Sequence, residues 1–303
     1  MPEARYLKIS CPEAGMKLLR FLERKLTLPP SLLLKWIRTG QVRVDKKRAS
    51  PYDLLTAGQL VRIPPHQPQN TSILQLASSQ EASTIDIIFE SDELLVLNKP
   101  AGLAAHAGSG QSRHLAGIIA AMRPEPFPAS AAHRLDRGTS GLVLAAKSMR
   151  LLKELQSLFK QNLIDKSYLT WVSGLWPHNE TIMLEDNLLK QRSPSSKMER
   201  MVAVAEGLGR PAVTKVRLLT YRPDLSASLL EAHPVSGRTH QIRAQLSLRG
   251  FPIIGDLKYQ GRPPYTRLML HAWRITLPDG RGFKVLPGWL APWAIADLSL
   301  ELE

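Results

Sequence analysis

A polar stretch in the first third of the chain decides what it can fold into. Residues 67–83, opening Gln67-Pro68-Gln69-Asn70-Thr71, are rich in Pro, Gln, Ser and Thr and read as a linker. A chain of 303 residues has room for two domains, or for one large domain with an appendage. The linker divides it into a small module over 1–66 and a larger domain over 84–303. No internal repeat is visible in either part.

The small module alternates helical and strand patterns. Leu18, Phe21 and Leu22 recur at helical spacing. A second helix starts near Pro29-Pro30-Ser31, puts Leu33, Trp36 and Ile37 on one face, and stops at Gly40. Gln41-Val42-Arg43-Val44-Asp45 alternates like a short strand, Lys46-Lys47-Arg48 forms a basic turn, and Leu60-Val61-Arg62-Ile63 returns as a second strand. Residues 17–66 hold eleven Lys/Arg against three Asp/Glu, a net +8. The whole chain carries +14, so more than half of its excess charge sits in a sixth of its length. Lys35, Arg38, Arg43, Lys46, Lys47 and Arg48 fall on the second helix and the turn after it, a clustering that suits phosphate contacts.

That charge argues for a polyanionic partner, nucleic acid or an anionic membrane surface. No apolar run reaches the length of a membrane span and no signal peptide opens the chain, which puts nucleic acid ahead. The single cysteine, Cys11, excludes an intramolecular disulfide framework and a Cys-cluster zinc site. A reducing, cytoplasmic location is expected.

From residue 84 the chain turns strand-rich. Ile85, Ile87 and Phe89 alternate, Asp92-Glu93 makes a turn, and Leu94-Leu95-Val96-Leu97 is a buried-strand run ending at Asn98-Lys99-Pro100-Ala101-Gly102-Leu103. His106-Ala107-Gly108-Ser109-Gly110 is a glycine-rich loop with neither Walker nor Rossmann spacing. Helices are expected near 113–123 and over 148–161, and Asp165–Val172 reads as a strand carrying Tyr168.

Two motifs carry chemistry. In His133-Arg134-Leu135-Asp136-Arg137-Gly138-Thr139-Ser140-Gly141 one carboxylate sits between two arginines at the mouth of the apolar run Leu142–Ala146. Taken alone it reads more readily as a surface salt-bridge cluster ahead of a core strand than as a site. His233-Pro234-Val235-Ser236-Gly237-Arg238-Thr239-His240-Gln241-Ile242-Arg243 packs two arginines and two histidines beside a Gly-initiated helix, followed by Gly250–Asp256 and Tyr259. His240 and His271 are not spaced as a metal pair, and no carboxylate completes a site, so no metal is expected.

Together, Asn98–Leu103, His133–Gly141 and Gly237–Arg243 resemble, in order and approximate spacing, the pseudouridine synthases of the RluA family. Leu34–Asp45 and Ala57–Ile63 resemble the alpha-L RNA-binding module of a ribosomal protein, and Ala105–Gly110 is most similar to the large-subunit type C branch of the family. The resemblance implies an α+β fold: a mixed, mostly antiparallel sheet with a central cleft, plus a small N-terminal α+β RNA-binding module. It implies isomerisation of uridine to pseudouridine in structured RNA, expected to be large-subunit ribosomal RNA, by a monomer without cofactor or metal. Asp136 would act at the sugar, as nucleophile at C1′ or as base at the 2′ position. Arg243 would pair with it, leaving Arg137 free of that role. Tyr168 would pack on the flipped base, and Arg134 would face the RNA. Gly138, Gln245 and Phe251 depart from residues frequent in the family and put the RNA target in question; Gly138 is expected to loosen the turn after Asp136. No function attaches to 178–210. The competing readings are the same chemistry on transfer RNA, a non-catalytic RNA-binding ribosome-assembly factor, and a glycosidase or nucleosidase acting on small substrates. The last would want two catalytic carboxylates and leaves the basic module without a purpose.

Overall fold

Two separately packed units share the chain in the computed structural model, Met1–Leu76 and Ala77–Glu303. The structure describes residues 5–26, 28, 30–65, 85–105, 114–123, 129–192, 199–259 and 267–295. The linker 67–83 and the loop His106–Gly110 lie outside the described residues.

In the first unit, helices α1 (Leu18–Lys25) and α2 (Pro30–Arg38) pack on a four-stranded sheet of β1 (Arg5–Lys8), β2 (Arg43–Val44), β3 (Lys47–Arg48) and β4 (Leu60–Ile63), in the order β1-β4-β2-β3. Leu18, Phe21, Leu22, Leu33, Trp36 and Ile37 form the core with Val42, Val61 and Ile63, as their spacing requires. Helix α2 ends in a Schellman arrangement. Gly40 takes a left-handed φ of +71°, its N–H donates to Ile37 O (3.0 Å), and the Gln41 N–H donates to Trp36 O (2.9 Å). The expected strand over 41–45 pairs only at Arg43–Val44. The basic run is not all turn: Asp45 and Lys46 take positive φ and make the turn, while Lys47–Arg48 is paired strand.

The second unit is built on an eleven-stranded sheet. Its strands are β5 (Asp86–Glu90), β6 (Leu94–Lys99), β7 (Ser130–Ala131), β8 (Ser140–Ala146), β9 (Asp165–Ser173), β10 (Ile182–Arg192), β11 (Glu199–Val204), β12 (Arg210–Arg222), β13 (Ala227–Pro234), β14 (Leu270–Thr276) and β15 (Gly282–Lys284). The path runs β11-β10-β12-β13-β9-β14-β8-β6-β5, with β15 on β14 and β7 on β8. Among the described residues every pairing is antiparallel except β14 with β8. Helices α3 (Leu115–Met122), α4 (Met149–Lys160) and α5 (Gln241–Leu248) cover it. No described helix is long and apolar enough to cross a membrane.

Strand β8 explains its own composition. Val143 and Ala145 pack with Leu115, Ile118 and Ile119 of α3, while Leu142, Leu144 and Ala146 pack with Leu155 of α4. Covered on both faces, the strand is apolar at every position rather than alternating. Gly141 is required at its start: with φ at +112°, an added Cβ would lie 2.2 Å from the Ala272 carbonyl oxygen of β14. The expected alternation in β5 fails. Ile85 is buried, but Ile87 and Phe89 are exposed and Ile88 packs inward, because the β5–β6 register shifts between Ile87 and Phe89. The stretch 178–210 contributes β10 and β11, a hairpin beyond β12.

Candidate active site

The apolar strands fix the loop that carries Asp136. Leu135 is buried against α3's cluster, Thr139 is buried, and the Thr139 N–H donates to Asp136 O (3.1 Å). Behind the loop lies Lys99, fully buried at the end of β6. Its ammonium donates to the carbonyls of Pro100 (2.9 Å), Leu103 (3.0 Å) and Arg137 (3.4 Å). Burial pushes the Lys99 pKa down to about 8, against the pull of Asp136. Arg137 turns aside, its Nε donating to Gly102 O (3.0 Å).

Arg243 comes from α5, a helix buried along most of its length. Its Nη1 donates to Asp136 Oδ2 at 3.0 Å. Its Nε and Nη2 grip Asp256 as a two-pronged fork, at 2.7 Å to Oδ2 and 2.8 Å to Oδ1. Asp256 is buried, and its Oδ1 also accepts the Lys258 and Tyr259 N–H groups. The guanidinium carbon lies 5.2 Å from the centre of the Tyr259 ring. Burial opposes the charge on Arg243, but the bonds to Asp256 and the two carboxylates outweigh it and raise the pKa.

His240 closes the other side of Asp136. It holds a left-handed backbone (φ 52°) just before α5, so that helix begins at Gln241 and not at the glycine the sequence suggested. Its Nε2 is 3.6 Å from Asp136 Oδ2, and its Nδ1 is 3.1 Å from the Tyr259 hydroxyl. Burial lowers its pKa to about 4, Asp136 only partly countering this, so the imidazole is neutral at pH 7.

These groups line a cleft of about 280 Å³. Arg134, Lys166, Arg238 and Arg243 face a single carboxylate, Asp136. Tyr168 and Phe159 add aromatic walls. Burial, and then the charge of Asp136, raise the Tyr168 pKa, so its hydroxyl stays protonated near neutrality. Burial drives the His133 pKa to about 3, and its Nε2 accepts the Leu144 N–H (3.0 Å). The cleft therefore suits a neutral ring flanked by negative charge, with one carboxylate at its reacting end.

Of the residues singled out in the sequence, Asp136, Tyr168, Arg243 and Arg134 meet in this cleft. Lys35, Arg38, Arg43, Lys46, Lys47 and Arg48 are exposed on the first unit. Sequence reasoning assigned no role to Lys99, His240, Asp256 or Tyr259. All four stand in motifs that were visible, but only the fold brings Asp256 and Tyr259 onto Arg243. The three departures find structural explanations. Gly138 does not loosen its turn by adopting a left-handed φ; a Cβ there would sit 3.2 Å from Leu268. The fully buried Gln245 accepts from the Thr214 hydroxyl (2.6 Å) and donates to the Leu184 and Ala212 carbonyls (both 3.0 Å), tying α5 to β10 and β12. Phe251 packs edge-on to Trp176 at 4.9 Å.

Residues 93–248 match the RNA pseudouridylate synthase family. A relative in Haemophilus influenzae, ribosomal large subunit pseudouridine synthase C, is 36% identical over 283 residues, 89% of this chain and 86% of its own. The protein of the same name in Escherichia coli is 36% identical, over 86% of this chain and 81% of its own. A solved structure of human RNA pseudouridylate synthase domain containing 4 superposes with a TM-score of 0.58 at 22% identity, over 72% of this chain and 93% of that one. That likeness is one of fold.

Proposed function

The chain belongs to the RluA-type RNA pseudouridylate synthase family, and from that premise we propose that it isomerises uridine in large-subunit ribosomal RNA with Asp136 as its reacting carboxylate. The relatives' names support that RNA over transfer RNA. The observation that carries the catalytic role is the chain Asp136–Arg243–Asp256, one carboxylate held by a guanidinium that a buried second carboxylate fixes in place. An intact set of this kind also argues against a non-catalytic scaffold.

The reaction breaks the N1–C1′ bond, turns the uracil, joins C5 to C1′, and moves the C5 proton off as N1 regains one. A base inside RNA structure must first be unstacked, at about a few kcal/mol. Asp136 acts at the sugar, by attack at C1′ or by removal of the 2′ proton. Arg243 sets a fixed positive charge against that carboxylate where RNA phosphates would crowd it. Tyr168 walls the base, and its hydroxyl, protonated near neutrality, would pass the C5 proton on rather than hold it. Arg134, with Lys166 and Arg238, takes the flanking backbone.

The units divide the work: residues 1–66 bind RNA, 67–83 tether, and 84–303 catalyse, in a cytoplasmic monomer. The test maps pseudouridines in ribosomal RNA from cells carrying the wild-type chain or Asp136→Asn. The expected result is loss of specific pseudouridines with RNA affinity held within a few-fold; isomerisation by the variant would overturn the assignment.

A further inference from the structure

The four strands of the first unit set one row of side chains across their sheet. Tyr6 stands opposite Arg62, Arg62 opposite Arg43, and Arg43 opposite Arg48. Directly opposed residues project from the same face. The neighbouring row of Leu7, Val61 and Val44 packs into the core, so the tyrosine and the arginines lie on the outer face. Tyr6 is 56% exposed, and Arg43 and Arg48 are exposed. Arg62 is half-buried between them, and Lys8, two places along β1, adds a third exposed cation to that face.

Like charges opposed across a sheet repel. Among the described residues no carboxylate forms an ion pair with these three arginines. Neutral carbonyls hold two of them instead. Arg43 Nε donates to Gly40 O (3.2 Å) and its Nη1 to Lys46 O (3.4 Å), and Arg62 Nη1 donates to Gln41 O (3.0 Å). Arg48 lies over the same turn: a Cβ on Gly40 would meet its Nε at 2.9 Å. Three guanidiniums are thus gathered around the end of α2. Their charge is not neutralised, and several of the five N–H donors on each are left over. A fold that accepts this repulsion keeps the charge for something outside itself.

We propose that this outer face is a docking surface for an RNA strand, with Arg43, Arg48 and Arg62 on successive phosphates and Tyr6 stacked on a base at the end of the row. Strands lie about 4.8 Å apart, so the arginines span about 10 Å, within one short stretch of backbone. An exposed aromatic beside a basic track is the usual design for holding a strand without reading its sequence. The surface differs from the α2 cations Lys35 and Arg38. The proposal rests on the reading that the chain acts on RNA, but concerns where the strand lies.

The test measures binding of full-length protein to a labelled single-stranded oligouridine across a salt series. Arg43→Gln/Arg48→Gln/Arg62→Gln should flatten the slope of log K against log salt by about 2 to 3. Tyr6→Ala should weaken binding several-fold with the slope unchanged. Lys35→Gln/Arg38→Gln should leave the slope within about 1 of wild type. An unchanged slope in the triple variant, or the whole loss falling on the Lys35/Arg38 variant, overturns the proposal. Arg48→Gln/Lys8→Gln guards against misfolding, since neither side chain caps a carbonyl. It should flatten the slope by about 1 to 2, and no change would also overturn the proposal. A wild-type protein that forms no pseudouridine would refute the catalytic reading yet leave these slopes interpretable.

Discussion

Arg243 and the arginines of the N-terminal sheet are the same side chain put to opposite uses. Arg243 is buried, and each arm of its guanidinium ends on a carboxylate, Asp136 or Asp256. Arg43 and Arg62 end on backbone carbonyls, and Arg48 lies over the glycine turn. In the cleft the fold neutralises the charge, and what remains is position: a carboxylate held in one place and one orientation. On the sheet the fold positions the charge and leaves it whole. Catalysis at one atom needs the first arrangement, and grip on a polyanion needs the second.

Breaking the cleft arrangement should cost most. Arg243→Ala leaves Asp256 buried without its partner, which costs about 3–5 kcal/mol of stability, and it frees Asp136 from the guanidinium that holds it. Urea unfolding should register the first loss and pseudouridine formation the second, as activity at background. Arg243→Lys separates the two. It keeps a charge but lacks the fork that reaches both carboxylates, so the fold should recover more than the activity does. Equal recovery would mean that the geometry of the fork is unimportant.

Breaking the other side should spare chemistry. Removing residues 1–70 should flatten the salt dependence of RNA binding and raise KM, while kcat at saturating RNA stays within a few-fold. An unchanged salt slope would leave the basic module without an RNA-binding role.

Acid should also separate the units. Burial holds His133 at about 3 and His240 and His271 at about 4, all below the ordinary 6.5. A histidine whose folded pKa is depressed adds stability that is present above pH 6.5 and lost as pH falls toward its folded value, because only the unfolded chain takes the proton. The loss is at most about 1.4 kcal/mol per pH unit for each histidine. The described part of the first unit contains no histidine, and its buttressed carboxylate, Glu13, is held at about 2 first by its bonds to Lys25 and Ser10. Between pH 6.5 and 4.5, hydrogen-exchange protection factors, corrected for the slower intrinsic exchange in acid, should therefore fall in β8 and β14 while those of Val61 and Ile63 hold. An equal fall in both would refute the assignment.

The sequence displayed some of this contrast and hid the rest, for physical reasons. Local pattern was enough for α1, α2, α4 and the apolar strands β6 and β8, since burial imposes a period or a run. It failed at β5, where a register shift reversed the exposed face. It also failed at His240, whose left-handed backbone delays α5 by several residues. The Asp136–Arg243 pair spans more than a hundred residues and was reachable only through family resemblance. Asp256 was out of reach because its importance lies in touching Arg243, a contact made by the fold. The arginine row needs the register of three strand pairings, and in the sequence its members look like scattered surface charge.

The smallest expected effect tests how tightly the catalytic loop itself is held. Gly138 and Gly141 both follow Asp136, but they are glycines for different reasons. At Gly141 the φ and the Ala272 carbonyl both exclude a side chain. At Gly138 the backbone is not left-handed, and a methyl group would first meet the Leu268 side chain, at 3.2 Å. Gly138→Ala should gain about 0.4–1 kcal/mol from a less flexible unfolded chain. It should give back a similar amount as Leu268 shifts by a few tenths of an ångström. Thermal unfolding should therefore move little. Because Leu268 leads into β14 and the loop is pinned at Leu135 and Thr139, Asp136 should keep its place and kcat should stay within a few-fold. A large fall in kcat without a fall in stability would show that loop mobility at Gly138 is part of the chemistry. The catalytic side of the comparison would then depend on motion as well as on fixed position.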